Sequence, residues 1–181
     1  MMLKKLQQKY ARIKDEIAQW DELQSQLLSQ FGNASSIIER LPVLSEDKNY
    51  GGLKFLPGIK EALLGKQMVT LERIFFDMKD TMKEIYGVVL SIDKIVQDAF
   101  QILRGSTPHQ MHLHVGIKPS LQQCLDGLKA VQAMYKAEYL FKSSVVSSLT
   151  CKCSAGEIAA LRQLLTDQPN ISKMEVQTIL K

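Results

Sequence analysis

The sequence predicts an all-α fold, an elongated antiparallel bundle of three long helices followed by short C-terminal helices. Apolar residues recur in alternating steps of three and four along most of the chain, which is the periodicity of a helix that buries one face. Serine pairs with capping spacing and isolated glycines mark where these segments start and end. The predicted long helices cover about residues 2–31, 58–104 and 120–150. We therefore assign residues 1–150 to a helical bundle and residues 151–181 to a linker with short helices.

The first helix is predicted from one apolar stripe that is interrupted once, at Gln24. Gly32-Asn33 then gives a C-terminal signal. A short helix over 33–41 is expected to stop before Pro42, and residues 45–52 form an exposed loop because turn residues and charges gather there. The stripe consists of Leu3, Leu6, Tyr10, Ile13, Ile17, Trp20, Leu27 and Phe31.

The second helix has the strongest pattern in the chain, an alternation without a gap that Arg104-Gly105 closes. Its core positions are Leu64, Met68, Leu71, Phe75, Met78, Met82, Ile85, Val89, Ile92, Val96, Ala99 and Leu103. An adjoining set widens the stripe, so this helix is expected to pack against more than one neighbour; it comprises Ile74, Val88, Ile95 and Ile102.

Three further apolar residues of the second helix, Val69, Phe76 and Leu90, fall on another face. They are the best candidates for an exposed partner site. A third neighbour within the same chain would explain them equally well.

Serine capping pairs predict the starts of the remaining helices. Ser120 with Gln123 opens the third long helix, and Ser154 with Glu157 opens a short one. Ser172 and Glu175 open a last helix that has few residues before Lys181. We expect this chain to end earlier than its relatives do.

The histidines and two of the cysteines raise the question of a zinc site. His109, His112 and His114 share a segment between the second and third long helices, and Cys151 and Cys153 follow the third. Structural zinc sites use pairs such as Cys-x-x-Cys with His-x-x-x-His, and the two clusters lie at opposite ends of a helix. Linker residues are the simpler interpretation, so we expect no metal and no cofactor.

Enzyme activity is not expected. The carboxylate pairs are adjacent in sequence, and adjacent helix residues diverge by about 100° around the axis, so they do not converge on a substrate. No glycine-rich phosphate loop occurs. Three cysteines suit a reducing compartment, and no apolar run approaches the ~20 residues of a membrane span. We expect a protein of the cytoplasm and nucleus with no membrane contact.

The charge balance is mildly basic, with a net charge of +4. A basic cluster without acids begins the chain and comprises Lys4, Lys5, Lys9, Arg12 and Lys14. Such a cluster fits RNA or an acidic partner, but a solvated helix face explains it as well. Direct RNA contact is therefore not expected from the sequence.

The third long helix carries a family resemblance in the string PSLQQCLDGLKAVQAMYKAEYLFKSSVVSSL, from Pro119 to Leu149. Without a gap, it resembles the corresponding helix of the AIRIM family, ribosome maturation factors also catalogued as casein kinase substrates. PGIKEALLGKQMVTLERI, upstream, and ISKMEVQTIL, near the end, are similar to other elements of that family, and the plant-type members look closest. The framework is Pro119-Ser120, Leu125-Asp126, Leu128, Tyr135, Tyr139-Leu140 and Ser147-Ser148.

The resemblance implies a non-enzymatic adaptor. It implies that the chain joins a type II AAA+ ATPase and a second small helical subunit, and acts on the precursor of the large ribosomal subunit (pre-60S), where maturation factors are recycled. Tyr135, Tyr139 and Lys142 are further candidates for a partner interface, although core tyrosines are equally plausible. The alternative function is a coiled-coil structural subunit of a cytoskeletal or tethering assembly.

Overall fold

The computed structural model describes residues 2–104 and 120–181, with side chains described from residue 4 onward, and the described residues contain no strand. The all-α prediction is therefore confirmed. None of the described helices combines the length and the apolar content that a membrane-spanning segment needs. The elements are α1 (Met2–Ser45), a 3₁₀ segment (Asp47–Phe55), α2 (Ile59–Leu103), α3 (Leu121–Ser148), α4 (Ala155–Asp167) and α5 (Lys173–Ile179).

The chain divides into two compact units, each assembled from separate stretches of sequence. Unit 1 comprises Met1–Glu22, Glu84–Phe141 and Gln168–Lys181, and unit 2 comprises Leu23–Lys83 and Lys142–Asp167. Each unit has a buried apolar core of its own. The predicted domain division at residue 150 stays a prediction.

Unit 1 contains parts of all three long helices, and hydrogen bonds define the relative direction of α1 and α2. Lys9 of α1 bonds Asp98 of α2, and Glu16 accepts from Ser91, so α1 and α2 are antiparallel there. On α3, Gln132 donates to Asp93 of α2 at 2.8 Å. Its core includes Ile13, Ile85, Ile92, Ile95, Leu125, Leu128 and Val131.

The predicted end of the first helix at Gly32-Asn33 was wrong, because α1 continues to Ser45 and contains Pro42 in its last turn. Burial overrides the local signal: the apolar stripe continues past Phe31 through Ala34, Ile37 and Ile38, all of them buried. Pro42 lacks the N–H that would donate to the carbonyl of Ile38, so it removes one backbone hydrogen bond, and the helix ends three residues later.

The predicted exposed loop after α1 was also wrong in part. Residues Asp47–Phe55 form 3₁₀ turns, joined at Gly51, whose φ of 52° is left-handed and suits glycine. Tyr50 is buried and donates its hydroxyl to the carbonyl of Leu44 at 2.7 Å, which ties this segment to the end of α1.

The predicted caps and the bounds of α2 and α3 agree with the structure to within two residues. The Ser120 N–H donates to Gln123 Oε1 at 2.9 Å, while the Gln123 N–H donates to Ser120 Oγ at 3.2 Å. Ser154 and Glu157 make the same reciprocal pair. At α5, the Glu175 N–H donates to Ser172 Oγ.

Two helical glycines of unit 1 differ in what surrounds them, and this predicts opposite effects of alanine. Apart from the adjacent residues and the backbone of its own helix, no atom lies within 4 Å of a Cβ built on Gly87, whereas a Cβ on Gly127 meets Ile179 Cγ2 at 2.8 Å. Gly87→Ala is expected to raise the free energy of unfolding by about 0.5–1 kcal/mol, because alanine loses less backbone entropy in a helix. Gly127→Ala is expected to lower it by about 1 kcal/mol, because Ile179 must shift.

Urea unfolding followed by far-ultraviolet circular dichroism measures both glycine variants. An equal gain in stability at the two sites would contradict the close approach of Gly127 to α5.

Candidate partner-binding surfaces

The large apolar residues predicted for a partner site on α2 are exposed. Val69 is 68 % exposed, Phe76 is 61 % exposed and Leu90 is 49 % exposed. Each precedes a buried core residue by two positions, which places it about 200° away around the helix. Within the described residues, therefore, no third neighbour covers them. Their role as partner contacts stays a prediction.

In unit 2, Val69 and Phe76 share one face of α2, seven residues apart, and we call these two residues the Phe76 surface. Lys83 Nζ lies 5.9 Å from the centroid of the Phe76 ring. The same ammonium pairs with Asp80 Oδ1 at 2.7 Å. Charged side chains thus border the aromatic ring, an arrangement in which a polar rim adjoins an apolar contact.

In unit 1, Leu90 lies on α2 near two tyrosines, Tyr86 and Tyr139. We call these three residues the Leu90 surface. Tyr86 is 44 % exposed and lies one turn before Leu90 on α2. Its ring centroid is 5.1 Å from that of Tyr139 on α3, with an interplanar angle of 32°. Tyr139, itself half-buried, therefore supports an exposed tyrosine.

Tyr135, another predicted interface residue, is buried in unit 1. Its ring packs edge-on against Trp20, with centroids 5.0 Å apart and planes at 83°. Burial, and to a smaller degree the charge of Asp21, raise the pKa of the Tyr135 hydroxyl well above its usual value. The structure therefore places Tyr135 in the core and does not support the predicted contact with a partner.

Lys142, the remaining predicted interface residue, is fully buried in unit 2. Its ammonium donates to Gln24 Oε1 at 2.6 Å and to the carbonyl of Leu165 at 3.3 Å. Gln24 Nε2 donates to the same carbonyl at 2.7 Å. Leu165 lies in the last turn of α4, where carbonyls lack partners within the helix, so these groups cap α4. The structure does not support a partner contact by Lys142.

The turn after α4 is held by buried polar groups of unit 1. Gln168 has a φ of 46°, a left-handed conformation that costs about 1–2 kcal/mol for a residue other than glycine. Its Oε1 accepts from Trp20 Nε1 at 2.8 Å. Glu138 Oε2 accepts from the backbone N–H and the side-chain Nδ2 of Asn170, both at 3.0 Å. These contacts join the C-terminal residues to α1 and α3.

The sequence of α3 contains a signal for the buried polar residues Glu138 and Lys142. Glu138 and Lys142 continue the three-four alternation of buried positions, as charged residues where apolar ones are expected. Gln24 interrupts the stripe of α1 in the same way. Polar residues at core positions of a heptad pattern indicate buried hydrogen bonds.

The zinc hypothesis concerns residues that the structure covers only in part. His109, His112 and His114 lie outside the described residues, so their interpretation as linker residues stays a prediction. Cys151 is exposed and Cys153 is half-buried, both as free thiols between α3 and α4. Within the described ranges, no three side chains of His, Cys, Asp or Glu are grouped to hold a metal ion.

A comparison with protein families shows which family the chain belongs to. The model of the C1orf109-like ribosome biogenesis proteins matches residues 1–181. The chain belongs to this family. A comparison with curated proteins returned no match.

Family membership confirms the AIRIM resemblance carried by the string in α3, whereas the likeness to plant-type members stays a prediction. It also confirms the coarser part of the predicted function, a role in ribosome biogenesis. The exposed Phe76 and Leu90 surfaces are thus features of a helical ribosome biogenesis protein.

Proposed function

We propose that this chain is a non-enzymatic helical adaptor subunit of a type II AAA+ ATPase complex that matures the large ribosomal subunit precursor and recycles its factors. The observation that carries the proposal is the family match over residues 1–181. The ATPase supplies the mechanical work, and this chain supplies surface and no catalytic group. We also propose a second small helical subunit as a partner, with the assembly present in both nucleus and cytoplasm.

The exposed apolar side chains of α2 support an adaptor role. Burial of a large exposed aromatic side chain by a partner lowers the free energy of the complex. A few such residues contribute most of the binding energy of an interface. Phe76 combines exposure with a charged border, and the opposite face of its helix is packed into a buried core. We propose the Phe76 surface as the site for the ATPase or the second subunit.

Affinity purification of the tagged chain, with identification of the recovered proteins, tests the proposed function. A AAA+ ATPase recovered in stoichiometric amounts is the expected result. Recovery of other coiled-coil proteins without an ATPase would contradict the proposal and favour a structural subunit of another assembly.

The variant Phe76→Asp tests the proposed site. We expect it to reduce recovery of the ATPase or of the second subunit by about tenfold, because a carboxylate at the centre of an apolar contact loses burial and is desolvated without a partner. Phe55→Asp is the matched control, since Phe55 is 78 % exposed and lies in the 3₁₀ segment. Equal recovery by both variants would contradict the assignment of the Phe76 surface and leave the adaptor proposal intact.

A further inference from the structure

Three helical segments of unit 1 carry an unusual excess of positive charge. They are residues 4–14 of α1, 94–104 of α2 and 121–130 of α3, and we call them together the basic end. Their only acids are Asp98 and Asp126, so the basic end has six more cations than anions, whereas the net charge of the whole chain is +4. The cations are Lys4, Lys5, Lys9, Arg12, Lys14, Lys94, Arg104 and Lys129.

Tertiary contacts bring the three segments together. Lys9 Nζ of α1 lies 2.7 Å from Asp98 Oδ2 of α2. The Tyr10 hydroxyl donates to the carbonyl of Cys124 in α3 at 2.9 Å. Lys129 Nζ of α3 lies 4.4 Å from the centroid of the Phe100 ring in α2. The charges of three helices therefore add at one end of this unit.

The two acids offset only two of the eight cations, and the excess of six already counts them. Asp98 is engaged by Lys9, whose hydrogen bond and charge, together with the charges of Lys94 and Arg12, hold the pKa of Asp98 below its usual value. Both carboxylate oxygens of Asp126 accept from Gln122 Nε2. In the described part of the chain, neither Arg12 nor Lys94 forms an ion pair. Both are exposed and project charge into solvent.

The composition of this surface favours a polyanion over a protein. Protein interfaces have apolar and aromatic centres and are depleted in lysine. In the described part of the basic end no large apolar side chain is exposed, and seven of the eight cations are. Lysine and arginine that converge without apolar neighbours are the usual contacts to a phosphate backbone.

We propose that the basic end binds the phosphate backbone of RNA. The family functions in ribosome biogenesis, so RNA is the polyanion that this chain is expected to encounter. The two aromatic residues of the basic end, Tyr10 and Phe100, are both half-buried, and Lys129 lies over the Phe100 ring, so neither offers a fully exposed ring for base stacking and we expect no base preference. This inference goes beyond the adaptor function, because it adds a direct contact to the RNA of the particle on which the assembly acts.

Fluorescence anisotropy of a labelled mixed-sequence RNA of about 20 nucleotides, titrated with the purified full chain, tests the proposal. The test variant is Lys5→Gln/Arg12→Gln/Lys94→Gln, which leaves the Lys9–Asp98 pair in place. The control variant is Lys66→Gln/Arg73→Gln/Lys152→Gln, which removes the same charge from exposed positions of unit 2.

The test variant is expected to bind RNA at least tenfold more weakly than the natural chain at about 50 mM salt, and the control variant within about twofold. Each phosphate contact contributes about −0.7 to the slope of log affinity against log salt for a single strand, so the slope is expected to become about 2 less negative. Circular dichroism verifies that both variants stay helical.

Three outcomes would overturn the proposal. The first is no RNA binding by the natural chain at about 50 mM salt. The second is an equal loss for the two variants, which would attribute binding to net charge alone. The third is tighter binding to a polyglutamate peptide of equal charge, which would assign the surface to an acidic protein. The titration contains no ATPase, so its result does not depend on the outcome of the affinity purification.

Discussion

Trp20→Ala is expected to lower the free energy of unfolding by about 4 kcal/mol, the largest effect of any substitution considered. Trp20 is fully buried, packs edge-on against Tyr135, and donates its indole N–H to Gln168. Alanine leaves a cavity among these groups and a buried Gln168 oxygen that has lost this donor. For a chain of this length, the loss corresponds to a decrease of about 10 °C in the melting temperature.

The control Trp20→Phe separates packing from hydrogen bonding. Phenylalanine keeps most of the contact with Tyr135 but cannot donate to Gln168, so we expect a loss of about 2 kcal/mol. Trp20 is the single tryptophan of the chain, so unfolding in urea is followed by circular dichroism instead of fluorescence. A loss below about 1 kcal/mol for Trp20→Ala would contradict the burial of the indole.

Lys142→Met is expected to lower the free energy of unfolding by about 3 kcal/mol. Methionine has nearly the length of lysine and fills the same space, but it donates no hydrogen bond to Gln24 or to the carbonyl of Leu165. The loss therefore reports the polar contacts that cap α4 more than it reports packing.

Lys136→Met is the matched control, since Lys136 is an exposed lysine of the same helix and is expected to change stability by less than about 0.5 kcal/mol. Equal stability of the two variants in urea unfolding would show that the Lys142 ammonium contributes no net free energy.

Local sequence patterns predicted most of the helices because the helical period is a local property of the chain. The uninterrupted stripe of α2, the reciprocal caps at Ser120 and Ser154, and the placement of Val69, Phe76 and Leu90 away from the core face all follow from spacing along one helix, whereas the exposure of these three residues is seen only in the structure. The prediction failed at Gly32. The helix continues through residues of low helix propensity there because burial of Ile37 and Ile38 beyond them stabilises it.

Residues distant in sequence show where spacing along one helix stops being informative. Lys142 and Gln24 are 118 positions apart, and Lys9 and Asp98 are 89 positions apart. Spacing along α3 places Lys142 at a core position, but a charged residue there has an exposed and a buried interpretation, and the neighbouring helices decide between them.

By itself, the sequence determined the fold class, the faces of α2 and the resemblance in α3 that the family match confirms. Only the tertiary structure placed Tyr135 and Lys142 in the core and combined the cations of three helices into the basic end. The physical reason is that periodicity specifies which side of a helix is apolar, whereas electrostatics and buried hydrogen bonds depend on distances between helices that meet only in the folded chain.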